Sequence, residues 1–461
     1  MEPHPQNLLP LGDFKPADQW QTHVNAIFYG VLGPKIHNHF QTYVSQDHRL
    51  AHTLAEEFYA QAVDSEPPDG RWFVQEWGVG NGNLAGCFLS HLKTLDREGK
   101  VYPSTHYILC DYSQEILKGA RKNPRLAQHA GHFSTVQIDA DRLDCFKSQS
   151  VDKIISNEIW DDLATKVLLK HDGQLLEEFL LPTLDPAVLD TDFENFKRKF
   201  AEKDLAALAQ AGDFLQAIVW QRDYQRVDVG EWPFGETVER HADSLEEGIP
   251  APINTGAFKT LERARELLRP ISFGYTGFDY GMFSMRELNC AGRPYFNLYG
   301  GQYTFMVNFE LLERVGQSIG FDKIEKQYQH RYVGASLHEK VLSLVEIVQS
   351  HPEVARMTAW ERDILMLSTL NAVNGSYRSP YKNKMLYPPS PETPKKQRKQ
   401  IAQLVEKLSP GGVPDTVSYV TESEVFTGLK KLRSLGYQEQ ALRQGFNKPE
   451  DPVSFVMIRF Q

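Results

Sequence analysis

Residues 76–82 carry a carboxylate and three glycines at a spacing that suits a cofactor. The stretch Glu76-Trp77-Gly78-Val79-Gly80-Asn81-Gly82 ends an apolar-leaning run that predicts a short buried strand. The apolar residues that follow, spaced by three and four, predict a helix. Glycines permit positive φ and let a ligand approach the backbone, and a helix start offers N–H groups without partners. This strand, turn and helix therefore predict a site for a nucleotide-like ligand.

Two cofactors fit these glycines. Gly80-x-Gly82-x-x-Ala85 satisfies the dinucleotide pattern G-x-G-x-x-G/A. Glu76-x-Gly78-x-Gly80-x-Gly82 satisfies the acidic pattern of S-adenosylmethionine (SAM) methyltransferases and explains one residue more. A carboxylate at the strand tip suits the ammonium and sulfonium of SAM and would repel a pyrophosphate. SAM is favoured, while a dinucleotide and a structural turn without a ligand stay as alternatives.

Three further predicted strands end in polar residues. Residues 102–110 lead into Asp111-Tyr112-Ser113, residues 133–138 into Asp139-Ala140-Asp141, and residues 151–156 into Asn157-Glu158-Ile159-Trp160-Asp161-Asp162. Strands that alternate with helices imply a parallel sheet, in which ligands lie beyond the carboxyl ends of the strands. The predicted cofactor-binding residues are Glu76, Gly78, Gly80, Asn81, Gly82, Asp111, Tyr112, Asp139, Ala140 and Asn157.

Two of these acids have specific expected partners and structural alternatives. Asp111 sits where a carboxylate accepts both ribose hydroxyls, although it also suits a helix N-cap. Asp139 or Asp141 would accept the adenine amino group, although a role in a turn is equally consistent with the pattern.

Composition excludes several classes of function. The formal net charge of the 461 residues is −10, which argues against a general nucleic-acid binder. The four cysteines include no C-x-x-C pair, so neither a disulfide framework nor a zinc site is indicated, and no metal is expected. No apolar run reaches the length of a membrane span, and the N-terminal residues show no targeting pattern. We therefore expect a cytoplasmic protein, with its oligomeric state open.

Five segments are expected along the chain. Residues 1–70 form an N-terminal arm and helices, and residues 71–164 form the cofactor-binding first half of a Rossmann-like domain. Residues 165–268 are mostly helical and polar, which predicts a helical insertion that caps the substrate. Residues 269–340 return to strand patterning and form the second half. Residues 341–461 form a C-terminal extension, with a proline-rich linker at 377–399 and a final strand at 453–460.

In its order of motifs, the chain resembles the MidA family of SAM-dependent methyltransferases. After the glycine motif come Asp111-x-Ser113, Asn157-Glu158-x-x-Asp161 and Phe278-Asp279-Tyr280-Gly281. The resemblance covers about residues 70–165 and 270–335. Asp111 stands where the family usually has Glu, and Ala164 replaces a proline. The resemblance implies an α/β fold of the class I methyltransferase type, with a Rossmann-like, mostly parallel sheet and helices on both faces.

The resemblance also implies where the chemistry lies. Asn157, Glu158 and Asp161 at the tip of the fourth strand would form the catalytic cluster, with Asp279 bordering the methyl acceptor. Carboxylates can orient a guanidinium bidentately and receive its proton after transfer. Asp161 and its neighbour Asp162 could instead simply cap a helix.

The predicted reaction is methyl transfer from SAM to a protein side chain, and the family favours arginine. The alternatives are a methyltransferase for a small molecule and a SAM-binding assembly factor without catalysis.

Overall fold

The computed structural model describes residues 7–32, 47–138, 145–377, 379–381, 387, 389, 393–408 and 418–461. The N-terminal segment contains β1 (Leu9–Pro10), β2 (Lys15–Pro16), α1 (Ala17–Leu32) and α2 (Arg49–Ala62). Leu50, Leu54 and Phe58 recur every four residues on α2, and all three are buried. A spacing of four places these side chains on one face of the helix, which is the face that packs into the core.

The first half of the main sheet follows. It comprises β3 (Trp72–Trp77), α3 (Asn83–Leu95), β4 (Thr105–Asp111), α4 (Gln114–Ala120), α5 (Pro124–Ala127), β5 (Phe133–Gln137) and β6 (Lys153–Asn157). Strands β3, β4 and β6 are buried almost throughout, as expected when helices cover both faces of a parallel sheet.

Residues 165–268 are not all helical. They contain β7 (Lys166–His171), β8 (Gln174–Leu184), α6 (Phe193–Glu202), α7 (Leu205–Leu208), α8 (Phe214–Ala217), β9 (Val219–Arg226), α9 (Gly235–Ala242), β10 (Ala251–Ile253) and α10 (Thr255–Leu267). Their strands form a second sheet in the order β1-β8-β7-β10, with β2 and β9 also paired to β8. The prediction of a helical insertion was therefore wrong for its four strands, β7 to β10, although the insertion also contains five helices. Asp172-Gly173, both at positive φ between β7 and β8, carried the hairpin signal.

The second half of the main domain begins after the insertion. It comprises β11 (Tyr275–Met282), α11 (Met285–Leu288), β12 (Phe296–Tyr299), β13 (Gln302–Phe305), β14 (Val307–Asn308), α12 (Phe309–Ile319), β15 (Ile324–Tyr328) and α13 (Gln329–Leu337). Strands β12 and β13 form a two-stranded hairpin that leads back to the main sheet.

The remaining elements are β16 (Val341–Ser343), α14 (Leu344–Gln349), α15 (Ala359–Val373), α16 (Lys395–Leu408), β17 (Tyr419–Thr421), α17 (Glu422–Thr427), α18 (Leu429–Ser434), α19 (Glu439–Gly445) and β18 (Ser454–Phe460). Short 3-10 turns lie at Pro68–Gly70, Pro186–Val188, Val229–Glu231 and Val354–Arg356. We call residues 341–445 the inserted unit. It has its own apolar core, which includes Leu344, Leu370 and Leu432.

The main sheet has the strand order β15-β18-β11-β6-β3-β4-β5. Strands β11, β6, β3, β4 and β5 are parallel, whereas β18 runs antiparallel to both of its neighbours. The inserted unit therefore interrupts the β15–β18 hairpin and is not a C-terminal extension. From β3 the chain adds β4 and β5 on one side and then β6 on the other, so the strand order reverses at β3. In such sheets a ligand crevice is expected at this switch point, beyond the carboxyl ends of β3 and β6. The predicted α/β class with a mostly parallel sheet is confirmed.

Within the described residues, none of the helices combines the length and the apolar character needed to cross a bilayer.

Candidate active site

The turn between β3 and α3 depends on its glycines. Gly78, Gly80 and Gly82 have φ values of 76°, 54° and 73°, which other residues rarely adopt. A Cβ on Gly82 would lie 3.1 Å from the Cβ of Ala120, and a Cβ on Gly78 would lie 2.4 Å from Cγ2 of Ile159. The turn thus packs closely against α4 on one side and the loop after β6 on the other.

Asn81 fixes the conformation of this turn. Its Oδ1 accepts a hydrogen bond from the backbone N–H of Asn83 at 3.0 Å, and its carbonyl accepts one from Nδ2 of Asn123 at 3.0 Å. Gly82, at the N-cap of α3, has no side chain to cap the helix. The first turn of α3 therefore keeps backbone donors for a ligand.

Glu76 lies near the carboxyl end of β3 and is buried. The hydroxyl of Tyr107 donates to its Oε2 at 2.8 Å. Burial, which strips the carboxylate of its hydration, raises the pKa of Glu76 to about 8; the bond from Tyr107 opposes this rise and the nearby Asp111 adds to it. A positive group beside Glu76 would favour its ionised form.

Asp111 joins the glycine turn to the end of β4. Its Oδ2 accepts from the N–H of Val79 at 3.2 Å and its Oδ1 from the N–H of Ser113 at 2.9 Å. Burial raises its pKa to about 6, although these two hydrogen bonds oppose the rise. Ser113 is the N-cap of α4, so the N-cap alternative for Asp111 was wrong. Tyr112, the next residue, is 47% exposed.

Three carboxylates of the loop after β6 lie near a fourth on β11, and we call Glu158, Asp161, Asp162 and Asp279 the acidic cluster. Glu158 has φ 52°, a left-handed conformation that is costly for a residue with a side chain. Its Oε1 accepts from Nδ2 of Asn157 at 2.9 Å, while Oδ1 of Asn157 is buried without a partner in the described chain. Strain and an unpaired buried oxygen coincide here, as they often do at functional sites.

Asp279 is fully buried, at 0% exposure, and supports this loop from β11. Its Oδ2 accepts from the N–H groups of Trp160 at 2.9 Å and Asp161 at 3.3 Å, and its Oδ1 from the N–H of Tyr280 at 2.9 Å. Burial and the nearby Glu158 raise the pKa of Asp279 well above its usual range. Asp279 therefore holds the loop in place from within the protein, and its contact with the methyl acceptor stays a prediction.

Asp161 differs from Asp279 because part of its carboxylate is unpaired. The hydroxyl of Tyr280 donates to Oδ2 at 3.1 Å, whereas Oδ1 is buried and has no partner among the described residues. Burial and, next, Asp279 raise its pKa well above the usual range. Within the described chain, no lysine or arginine forms an ion pair with Asp161, Asp162 or Asp279.

Asp162 is held by three side chains from two other elements. Tyr29 donates to its Oδ2, while Asn25 (3.3 Å) and Gln302 donate to its Oδ1. Burial raises the pKa of Asp162 to about 6, and the bonds from Tyr29 and Gln302 limit the rise. Asp162 does not cap a helix, so the capping alternative was wrong for this residue.

Of the predicted site residues, the structure brings most to one edge of the sheet. Asp139 and Ala140 lie outside the described residues. The sequence reasoning missed helix α1 and hairpin β12–β13, which supply Asn25, Tyr29 and Gln302. A polar stripe at a spacing of four, Gln21-Asn25-Tyr29, was the available signal on α1. Among the described residues, no group of His, Cys, Asp and Glu is arranged to hold a metal ion.

Comparison with known proteins gives structural matches alone. No family model and no curated protein matches the sequence. An uncharacterized protein from Burkholderia thailandensis matches with a TM-score of 0.50 at 15% identity, over 98% of this chain and 88% of that chain. A member of its superfamily from the same organism, thought to be a methyl transferase and bound to S-adenosyl-homocysteine, matches with a TM-score of 0.50 at 15% identity, over 97% and 88%.

These likenesses concern the fold. Together with the strand order and the antiparallel β18, they show that this chain has the class I methyltransferase fold.

Proposed function

We propose that this protein is a SAM-dependent methyltransferase that acts on a protein side chain, with arginine the favoured acceptor. The observation that carries the proposal is the pairing of two features at one sheet edge. A glycine turn with Glu76 and Asp111 lies on β3 and β4, and the acidic cluster lies beside it on β6 and β11.

The residues of the turn fit SAM. Asp111 accepts two hydrogen bonds from backbone N–H groups and retains further lone pairs. These would accept hydrogen bonds from the two ribose hydroxyls. Glu76 would favour the methionyl ammonium, and the backbone of Gly78, Gly80 and Gly82 would line the methionine and ribose. When bound, SAM supplies an electrophilic methyl group on a sulfonium sulfur. The S-adenosyl-homocysteine of the solved neighbour supports this choice over a dinucleotide.

The acidic cluster favours a cationic acceptor. Asp161 Oδ1 and Asn157 Oδ1 are buried acceptors without partners in the described chain, and such atoms are costly unless a donor reaches them. A guanidinium offers five N–H donors in a fork that matches carboxylates. Glu158 and Asp161 would hold it toward the methyl group, concentrate reactivity on one nitrogen, and accept the proton released when the N–C bond forms.

Two alternative functions predict different surroundings or a different activity for this cluster. A small-molecule methyltransferase would enclose its acceptor, and the aromatic residues near the crevice would serve that purpose. A SAM-binding assembly factor would bind the cofactor and transfer nothing. The exposure of Tyr112 and Tyr299, at 47% and 42%, favours a crevice open to a protein segment.

Calorimetric titration with SAM, and separately with NADH, tests the cofactor. We expect saturable SAM binding that weakens in Asp111→Ala, and no NADH binding. Glu158→Gln should bind SAM as the wild type does and lose methyl transfer to lysate proteins, followed with radiolabelled SAM. NADH binding would contradict the cofactor assignment, and unchanged transfer by Glu158→Gln would contradict the catalytic one.

A further inference from the structure

Helix α1 presents a polar stripe to the acidic cluster. Gln21 Nε2 donates to the carbonyl of Asp161 at 2.9 Å, and its Oε1 accepts from the N–H of Thr165 at 2.9 Å. Asn25 exchanges two hydrogen bonds of 2.9 Å with the backbone of Tyr303 on β13. Both amide side chains are buried, so this face of α1 is fixed to the loop after β6 and to the hairpin.

Tyr29, one turn further on, contacts both halves of the crevice. Its hydroxyl donates to Asp162 and accepts from Nε2 of Gln302 at 2.8 Å. Its ring meets the ring of Tyr112 edge to face, with centroids 5.7 Å apart and an interplanar angle of 78°. Tyr112 directly follows Asp111, the residue expected to bind the ribose. Tyr29 thus connects the cofactor side of the crevice to the acidic cluster.

We propose that Tyr29 is a positioning residue, which makes helix α1 a wall of the cofactor crevice. Its hydroxyl fixes α1 to Asp162, and its ring backs Tyr112, whose half-exposed ring is thereby held beside the bound cofactor. Edge-to-face aromatic pairs contribute beyond the area they bury, so loss of this backing weakens ligand binding. This inference rests on the proposed function, because it takes the crevice beside Asp111 as the SAM site.

Titration with S-adenosyl-homocysteine tests the role of Tyr29 without an acceptor. We expect Tyr29→Ala to raise the Kd by about three- to tenfold, the loss expected for one aromatic pair. Tyr29→Phe keeps the ring and should raise the Kd by less. Tyr112→Ala should raise the Kd about as much as Tyr29→Ala does. The double variant should have a Kd little higher than that of either single variant, because the two rings act as a unit.

The control is Tyr224→Phe, which removes a comparable hydroxyl-to-carboxylate bond, Tyr224 to Glu178 at 3.0 Å, within the second sheet. It should leave the Kd unchanged. Hydrogen exchange of residues 17–32 gives a second readout on the wild type, and S-adenosyl-homocysteine should protect this helix. Wild-type binding with an unchanged Kd in Tyr29→Ala, additive effects in the double variant, or no protection of α1 would overturn the role of Tyr29. No binding by the wild type would overturn the proposed function itself, and this inference with it.

Discussion

Glu76 and Asp111 lie on neighbouring strands, yet the pKa values of their carboxyl groups differ. Asp111 accepts two backbone N–H bonds, and its pKa of about 6 leaves it ionised at neutral pH. Glu76 accepts a hydrogen bond from the hydroxyl of Tyr107, and its pKa of about 8 leaves it mostly protonated at neutral pH. At pH 7 this pair therefore carries about one negative charge, and a cation bound beside Glu76 would add a second by favouring its ionised form.

This difference predicts that SAM binding at pH 7 releases a proton. The ammonium of SAM would favour ionised Glu76, so the pKa of Glu76 would fall on binding and its proton would pass to the buffer. Affinity should accordingly rise with pH and level off above about pH 8, where Glu76 becomes ionised in the free protein as well. Calorimetry in two buffers of different ionisation enthalpy measures the number of protons released.

Glu76→Gln should bind SAM more weakly and release no proton. Glu194→Gln, at an exposed position on α6, is the matched control and should behave as the wild type. Proton release that persists in Glu76→Gln would assign the titrating group elsewhere.

At the scale of elements, strand β11 shapes the acidic cluster in two ways. Asp279 holds the loop by hydrogen bonds, and Gly277 leaves room for the ring of Trp160, which is anchored by a 2.9 Å bond from its Nε1 to Thr260. A Cβ on Gly277 would lie only 2.0 Å from Cη2 of Trp160. Trp160 lies between Glu158 and Asp161 in the sequence, so a shift of Trp160 would displace both carboxylates.

Gly277→Ala should therefore push Trp160 aside, destabilise the protein by about 1–3 kcal/mol, as overpacking of a core does, and lower methyl transfer. SAM affinity should change little, because the glycine turn is on another strand. Urea unfolding, SAM titration and a transfer assay measure the three quantities. Gly119 lies on α4, where an added Cβ would meet no atom within 4 Å beyond the helix backbone and adjacent residues, so Gly119→Ala should be neutral or stabilise by about 0.5–1 kcal/mol. A Gly277→Ala variant as stable as wild type would show that the ring can move freely.

Elements whose signal lies in adjacent residues were predictable from the sequence. The strand before Gly78, the polar tip at Asp111 and the loop at Asn157 each follow from a short local pattern. The contact between Tyr29 and Asp162 joins distant parts of the chain, and no local pattern specifies it. The placement of β18 inside the sheet was missed for a similar reason, because residues 453–460 predicted a final strand but not the strands beside it.

At the scale of the molecule, the inserted unit contacts helix α2 through a buried arginine. Arg49 donates to the carbonyl of Tyr419 at 2.7 Å and to Oε1 of Glu424 at 2.5 Å. Its guanidinium also lies 4.6 Å from the ring centre of Tyr377. Three residues of the inserted unit thus converge on one side chain of α2.

The same contact reaches the cofactor turn. The hydroxyl of Tyr377 donates to Oδ1 of Asp47 at 2.6 Å, and the carbonyl of Asp47 accepts from Nδ2 of Asn83 at 2.7 Å. Asn83 is the first residue of α3, directly after the glycines. The inserted unit therefore supports the backbone that is expected to hold the methionine of SAM.

Arg49→Ala should leave the carboxylate of Glu424, only 13% exposed, without its cation and destabilise the protein by about 3 kcal/mol. It should also weaken SAM binding, because Asp47 and Asn83 lose their support. Chemical denaturation and SAM titration measure the two effects. Arg356→Ala breaks an exposed pair with Glu353 and should change stability by less than about 1 kcal/mol. SAM affinity equal to wild type in Arg49→Ala would show that the unit does not support the turn.

The interrupted β15–β18 hairpin also has a consequence for folding kinetics. Tyr328 pairs with Val456, although residues 329–453 lie between these two strands. Closing a flexible loop costs entropy that rises by about 0.6 kcal/mol per doubling of its length, and contacts between distant residues slow folding. If the inserted unit collapses first around its own core, it brings the two strand ends together and shortens the effective loop. Substitutions in that core, far from the crevice, would then slow completion of the main sheet.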